Sequence, residues 1–194
     1  MKLIYKGKYQ SEADLPTRNH PEGAVPFREI ADMKKLAILL NALSVPLLAM
    51  TAAGLILRGL PYLSKAPFSA TLGMMASLLV LFPHELLHAL CFRGEVELWT
   101  NFKMGMLFVA GVEDMSKARF VMMSLLPNLV FGVIPYCLFL LCPAWLFLGA
   151  LGAMSIPMGI GDYYNVYNCL TQVPKGASVY MSGMHSYWYL PESV

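Results

Sequence analysis

Charge is the scarcest commodity in this sequence. Only 13% of its 194 residues are Asp, Glu, Lys or Arg, while 57% are hydrophobic and the mean hydropathy is +0.56. Soluble domains carry about twice that share of charge, so the composition argues against a water-soluble globule and for one compact membrane bundle. The net charge of +2 is small, and no basic patch with interleaved aromatics occurs. That excludes a nucleic-acid partner, because phosphate binding needs clustered Lys and Arg. The four cysteines, Cys91, Cys137, Cys142 and Cys169, contain no Cys-x-x-Cys pair and fall in or beside apolar runs. They read as small buried hydrophobes, which excludes both a disulfide framework and a zinc knuckle.

What the sequence has in quantity is apolar runs. Leu36–Leu57 spans 22 residues after Lys34-Lys35, enough to cross a bilayer core. Its late start argues against a cleaved signal peptide, and Pro46 is expected to kink it. A second run extends from Phe68 to Phe92. A third, Phe120–Ile160, is too long for one span and breaks at Cys142-Pro143, where proline ends a helix. The expected fold class is therefore an all-α membrane protein with four transmembrane helices and a short β-hairpin between the second and third. Residues 1–35 form an irregular, polar N-terminal segment, 36–170 the transmembrane core, and 171–194 an interfacial tail rich in Tyr and Trp. Seven Lys and Arg precede the first span and two occupy the link Arg58–Pro67. By the positive-inside rule the N-terminus and tail are cytoplasmic, and the lipid bilayer itself is a partner.

One stretch of the second run carries chemistry: Phe82-Pro83-His84-Glu85-Leu86-Leu87-His88. Positions four apart share a helix face, so both imidazoles can reach one metal ion. Glu85 lies about 100° round the helix from His84, within reach of a metal-activated water. This is the H-E-x-x-H pattern of zinc peptidases. The alternative is a chance match with each polar side chain satisfied by core neighbours. An ionisable group in such a run costs about 2.5–3.5 kcal/mol on insertion scales, which favours a task.

A third metal ligand is sought among carboxylates, and only Glu85 and Asp162 of the twelve acidic residues fall in spanning runs. On straight helices His84 lies about 24 Å below the outer face and Asp162 about 27 Å. Asp162 is the natural third ligand of a tetrahedral zinc with one position left for water; otherwise it marks the interfacial end of the last span. Pro157, Gly159 and Gly161 would let its backbone approach closely. Glu97, Glu113, Asp114 and His185 compete for the role. Asn165 and Asn168 follow Asp162 at helical spacings and could orient it, contact substrate, or simply face interfacial water. Asn128, after Pro127, is a possible oxyanion donor or an interhelical hydrogen-bonding residue. Between the second and third runs, Val96, Leu98, Thr100 and Phe102 alternate with Glu95, Glu97, Trp99 and Asn101. A turn at Lys103-Met104-Gly105 then precedes Leu107–Val112, which reads as a hairpin or a solvated loop. An edge strand there could hold a peptide substrate extended.

The motif together with Gly161-Asp162 resembles the site-2 protease class of intramembrane metallopeptidases. More closely, His84-Glu85-Leu86-Leu87-His88, Leu126-Pro127-Asn128, Gly161-Asp162 and Val173-Pro174-Lys175-Gly176-Ala177 resemble the small bacterial membrane proteins grouped as zincin peptidases. Unlike the site-2 class, the sequence has Tyr163 and no glycine after the aspartate. The resemblance implies Zn²⁺ held by His84, His88 and Asp162, with Glu85 as general base, acting on a peptide or membrane-protein substrate in a bacterial plasma membrane. A non-proteolytic metal-binding membrane protein, such as an accessory subunit, is the second expectation, and a metal transporter the third.

Overall fold

The structure is a computed structural model that describes residues 1–102 and 106–191. The chain is mostly helical, as expected, but among the described residues its strands form two β-sheets instead of a single short hairpin. It divides into a helical unit, residues 30–84 and 125–164, and a strand-bearing unit, residues 1–29, 85–124 and 165–194.

The helical unit begins with α1 (Met33–Leu63), whose N-terminus is capped by the Asp32 carboxylate accepting from the Lys34 and Lys35 N–H groups. The helix is longer than the apolar run Leu36–Leu57 and continues through Pro46 and Pro61. Along the chain follow α2 (Pro67–Leu79), α3 (Leu81–Leu90), α4 (Lys117–Asn128), a wide π turn (Leu129–Val133), α5 (Ile134–Leu141), α6 (Leu146–Met158) and α7 (Ile160–Gln172), of which residues 85–90, 117–124 and 165–172 belong to the strand-bearing unit. Phe139, Leu146, Ala150 and Ala70 form the core, with Leu55 and Tyr136 packed against them. Small residues allow this approach: a Cβ on Gly149 would enter the Phe139 ring, and one on Gly152 would meet the Gly132 carbonyl and the Tyr136 N–H. Hydrogen bonds then tie the helices together. The Thr51 hydroxyl donates to the Ala153 carbonyl (2.8 Å), and the Tyr136 hydroxyl donates to the Thr51 carbonyl (2.7 Å).

Among the described residues two stretches, Lys34–Leu63 and Lys117–Leu141, are long and apolar enough to cross a membrane, and the number rises to four if each of two bent pairs is one span. The bends correct the reading of the second and fourth expected spans as straight helices. Pairs α2/α3 and α6/α7 turn by 50° and 52°. Pro83 explains the first, since it lacks an N–H for the turn before it and its ring crowds the Leu79 carbonyl. At the second, Pro157 and Gly159 end α6, with the Gly159 N–H shared between the Ser155 and Ile156 carbonyls (3.3 Å each). The straight-helix depths therefore do not hold as calculated.

In the strand-bearing unit the N-terminal segment is not irregular throughout. Lys2–Lys8 is a strand (β1) lying parallel to β3 (Glu95–Asn101), which pairs antiparallel with β4 (Met106–Ala110). The turn expected at Lys103-Met104-Gly105 lies outside the described residues. Trp99, placed by the alternation with the polar set, is buried beside Leu15 and Ala110, while Val96 packs into a separate core with Phe92, Phe120 and Val179. The second sheet has the order β2 (Val25–Pro26), β7 (His185–Tyr189), β6 (Ser178–Ser182), β5 (Met115–Ser116), antiparallel throughout. The aromatic tail is thus a hairpin. Gly183, at φ +63°, opens its two-residue connection with the sign a type II′ turn requires. All four cysteines are free thiols, but only Cys169 is fully buried, and Cys137 is exposed.

Candidate metal centre

Helix α3 starts just past the bend. Proline is tolerated in its first turn, and His84-Glu85-Leu86-Leu87-His88-Ala89 then continues the helix, the His84 N–H donating to the Val80 carbonyl at 2.8 Å. Along this one helix, one ligand atom each from His84, Glu85 and His88 can be chosen so that all lie within 4.8 Å of one another. Glu85 and His88 are each 8% exposed. The His88 ring is oriented by its Nδ1, which donates to the Met123 carbonyl at 2.8 Å. That bond puts the proton on Nδ1 and the lone pair on Nε2, the arrangement in which a histidine ligates a metal.

Asp162 sits in the first turn of α7, where the helix dipole favours a carboxylate. Within the helical unit its Oδ2 lies 3.2 Å from His84 Nε2. Two ligands of a tetrahedral zinc, at the usual Zn–N and Zn–O lengths, are separated by about 3.4 Å. The pair is therefore spaced like one edge of such a tetrahedron, and the donor set of imidazoles and carboxylate suits zinc. Asn128, the last residue of α4, donates from Nδ2 to the same Asp162 Oδ2 at 2.7 Å. Its amide N–H is thus directed to the aspartate.

The other candidates fall elsewhere. Asn168 is buried and accepts from Gln172 Nε2 (3.0 Å), and Asn165 is half-buried one turn earlier on α7. Each competing ligand has a different partner: Glu97 pairs with Lys6 (3.0 Å), Glu113 with Arg119 (2.7 Å), Asp114 with Arg18 (2.9 Å) and His185 with Glu29 (3.2 Å). Two features escaped sequence reasoning. The Met123 carbonyl that anchors His88 is a backbone group and leaves no mark in the sequence. Gly159 sits against the Asn128 side chain, so closely that a Cβ there would overlap the amide; the glycine was visible, but not what it faces.

Neither the curated proteins nor the solved structures contain a match to this chain. A family described as "Putative zincin peptidase" matches residues 77–178, more than half of the chain. Zincins are metallopeptidases that carry H-E-x-x-H, and the matched segment takes in His84-Glu85-Leu86-Leu87-His88, Asn128 and Asp162. By that match the chain belongs to the zincin peptidase family.

Proposed function

We propose that this chain is a membrane-embedded zinc metallopeptidase, akin to the site-2 class, in which His84, His88 and Asp162 hold the ion and Glu85 manages the proton. The observation that carries the reading is the 3.2 Å approach of His84 Nε2 to Asp162 Oδ2, two side chains 78 residues apart in sequence. When bound, zinc supplies Lewis-acid polarisation of a carbonyl and acidifies water. Glu85, buried and one residue from His84, accepts the proton that the attacking water gives up. It then delivers that proton to the nitrogen of the departing amine, so the carboxylate ends as it began. The hydrogen bond from His88 to the Met123 carbonyl keeps the imidazole turned for ligation through the cycle.

The apolar helices fit a site within or beside the bilayer, acting on a peptide segment of a membrane protein. The seven Lys and Arg before α1 favour a cytoplasmic N-terminus in a bacterial plasma membrane.

The test uses the full chain in detergent micelles, with zinc content measured beside hydrolysis of an unstructured fluorogenic peptide. Glu85→Gln should keep its zinc and lose cleavage by about 100-fold or more. Cleavage at the wild-type rate by that variant would remove Glu85 from the mechanism. A wild-type chain that holds zinc but cleaves no peptide would favour a non-proteolytic metal-binding protein.

A further inference from the structure

We infer that Asn128 and Gly159 act together as a positioning device that fixes the Asp162 carboxylate for the metal. The inference rests on the zinc-binding reading above and adds residues outside its ligand set. Asn128 is 2% exposed, and its Nδ2 donates to Asp162 Oδ2 at 2.7 Å. Its Oδ1 is buried with no hydrogen-bond partner among the described residues. A buried acceptor left unsatisfied costs stability, and an apolar side chain of the same shape avoids that cost. The amide is therefore poorly chosen as a packing residue and well chosen as a donor.

The choice of a neutral donor matters. A Lys or Arg at this place would neutralise the carboxylate and compete with a cation, whereas an amide N–H orients it and leaves its charge intact. Gly159 completes the arrangement. It lies in the break between α6 and α7, three residues before Asp162, and a Cβ there would overlap the Asn128 amide. The backbone that carries Asp162 thus also provides the gap that seats Asn128. Asn128 itself ends α4 where the helix widens into the π turn, a distortion that re-aims side chains at functional sites.

The test is zinc affinity of the full chain in micelles, by competition with a chromogenic chelator, alongside the melting temperature of the metal-free protein. Asn128→Leu should bind zinc about 10- to 100-fold more weakly, while its metal-free melting temperature stays at or above that of the wild type. Gly159→Ala should weaken zinc binding in the wild-type background and add nothing in an Asn128→Ala background. Wild-type affinity in Asn128→Leu overturns the inference, as does a metal-free protein destabilised in proportion to the lost affinity, the mark of a merely structural residue. If the wild type binds zinc through His84 and Asp162 while Asn128→Leu binds equally well, only this inference fails. If the wild type binds no zinc, both fail.

Discussion

In the helical unit Leu57, Leu79 and Leu141 are 79%, 78% and 82% exposed, and few charged groups interrupt the apolar exterior. In the strand-bearing unit the surface carries ion pairs instead: Lys6 with Glu97, Arg18 with Asp114, Arg119 with Glu113. The first surface suits lipid and the second water. The contrast extends to the carboxylates. In the strand-bearing unit Glu95, Glu97, Glu113 and Asp114 are each matched to a Lys or Arg and serve to hold loops and strands. In the helical unit there are two, Asp32 capping α1 and Asp162, and Asp162 meets an imidazole and an amide. An acid matched to a full cation has its charge cancelled, whereas an amide donor orients a carboxylate without cancelling its charge.

The largest effect is expected from removing one carboxylate of each unit. Asp162→Ala and His84→Ala should each weaken zinc binding by about 100-fold or more, whereas Glu113→Gln should leave zinc content unchanged. Metal analysis of the three purified variants decides it. Equal loss in Glu113→Gln would mean that the two kinds of carboxylate do not differ as argued.

The sequence made the site far more legible than the fold around it. The His84–His88 pair reads directly from a spacing of four, because a helix enforces it locally. Asp162 stood out as a candidate because an acid in an apolar run is rare, and its 3.2 Å approach to His84 is what the sequence could not display. Their similar depths hold only for straight helices, yet the helices that carry His84 and Asp162 each bend just before these residues, by 50° and 52°. Pro83 and Pro157 were present to suggest this. β1 was hidden for a different reason: its partner begins at Glu95, and a parallel pairing 93 residues apart leaves no local periodicity. The β6–β7 hairpin was readable from Gly183 between two β-prone runs, but its Tyr and Trp gave the stronger signal of a membrane-interface tail.

A smaller effect separates the units by packing. In the helical unit a Cβ at Gly152 would meet the backbone of Gly132 and Tyr136, which cannot swing aside as a side chain can. Gly152→Ala should cost about 1–3 kcal/mol and lower the melting temperature by roughly 5 °C. Gly161→Ala, where an added Cβ meets nothing within 4 Å, provides the control and should leave stability the same or slightly higher. If both variants melted alike, close helix approach through small residues would not be what holds this unit together.

The smallest effects lie among the paired carboxylates of the strand-bearing unit, and there the signs are opposed. Burial pushes Glu113 upward, but the Gly94 and Arg93 N–H groups and the Arg119 guanidinium outweigh it, holding the carboxyl below its ordinary value of 4.5. Its contribution to stability is present above that ordinary value and is lost as pH falls through the depressed one. Glu29 is the reverse: burial dominates the opposing bonds from His185 and Ser186, and the carboxyl is raised above 4.5. Its contribution is complete below the ordinary value and disappears as pH rises through the raised one. At pH 7, then, Glu113→Gln should lower the melting temperature by roughly 3 °C. Glu29→Gln should raise it by roughly 1 °C, because a neutral amide removes the cost of a buried charge. Melting curves collected from pH 4 to 7 separate the two, since each variant should flatten the half of the wild-type profile that its carboxylate governs. A Glu29→Gln protein less stable than the wild type at pH 7 would show that the hydrogen bond with His185 outweighs the burial of Glu29.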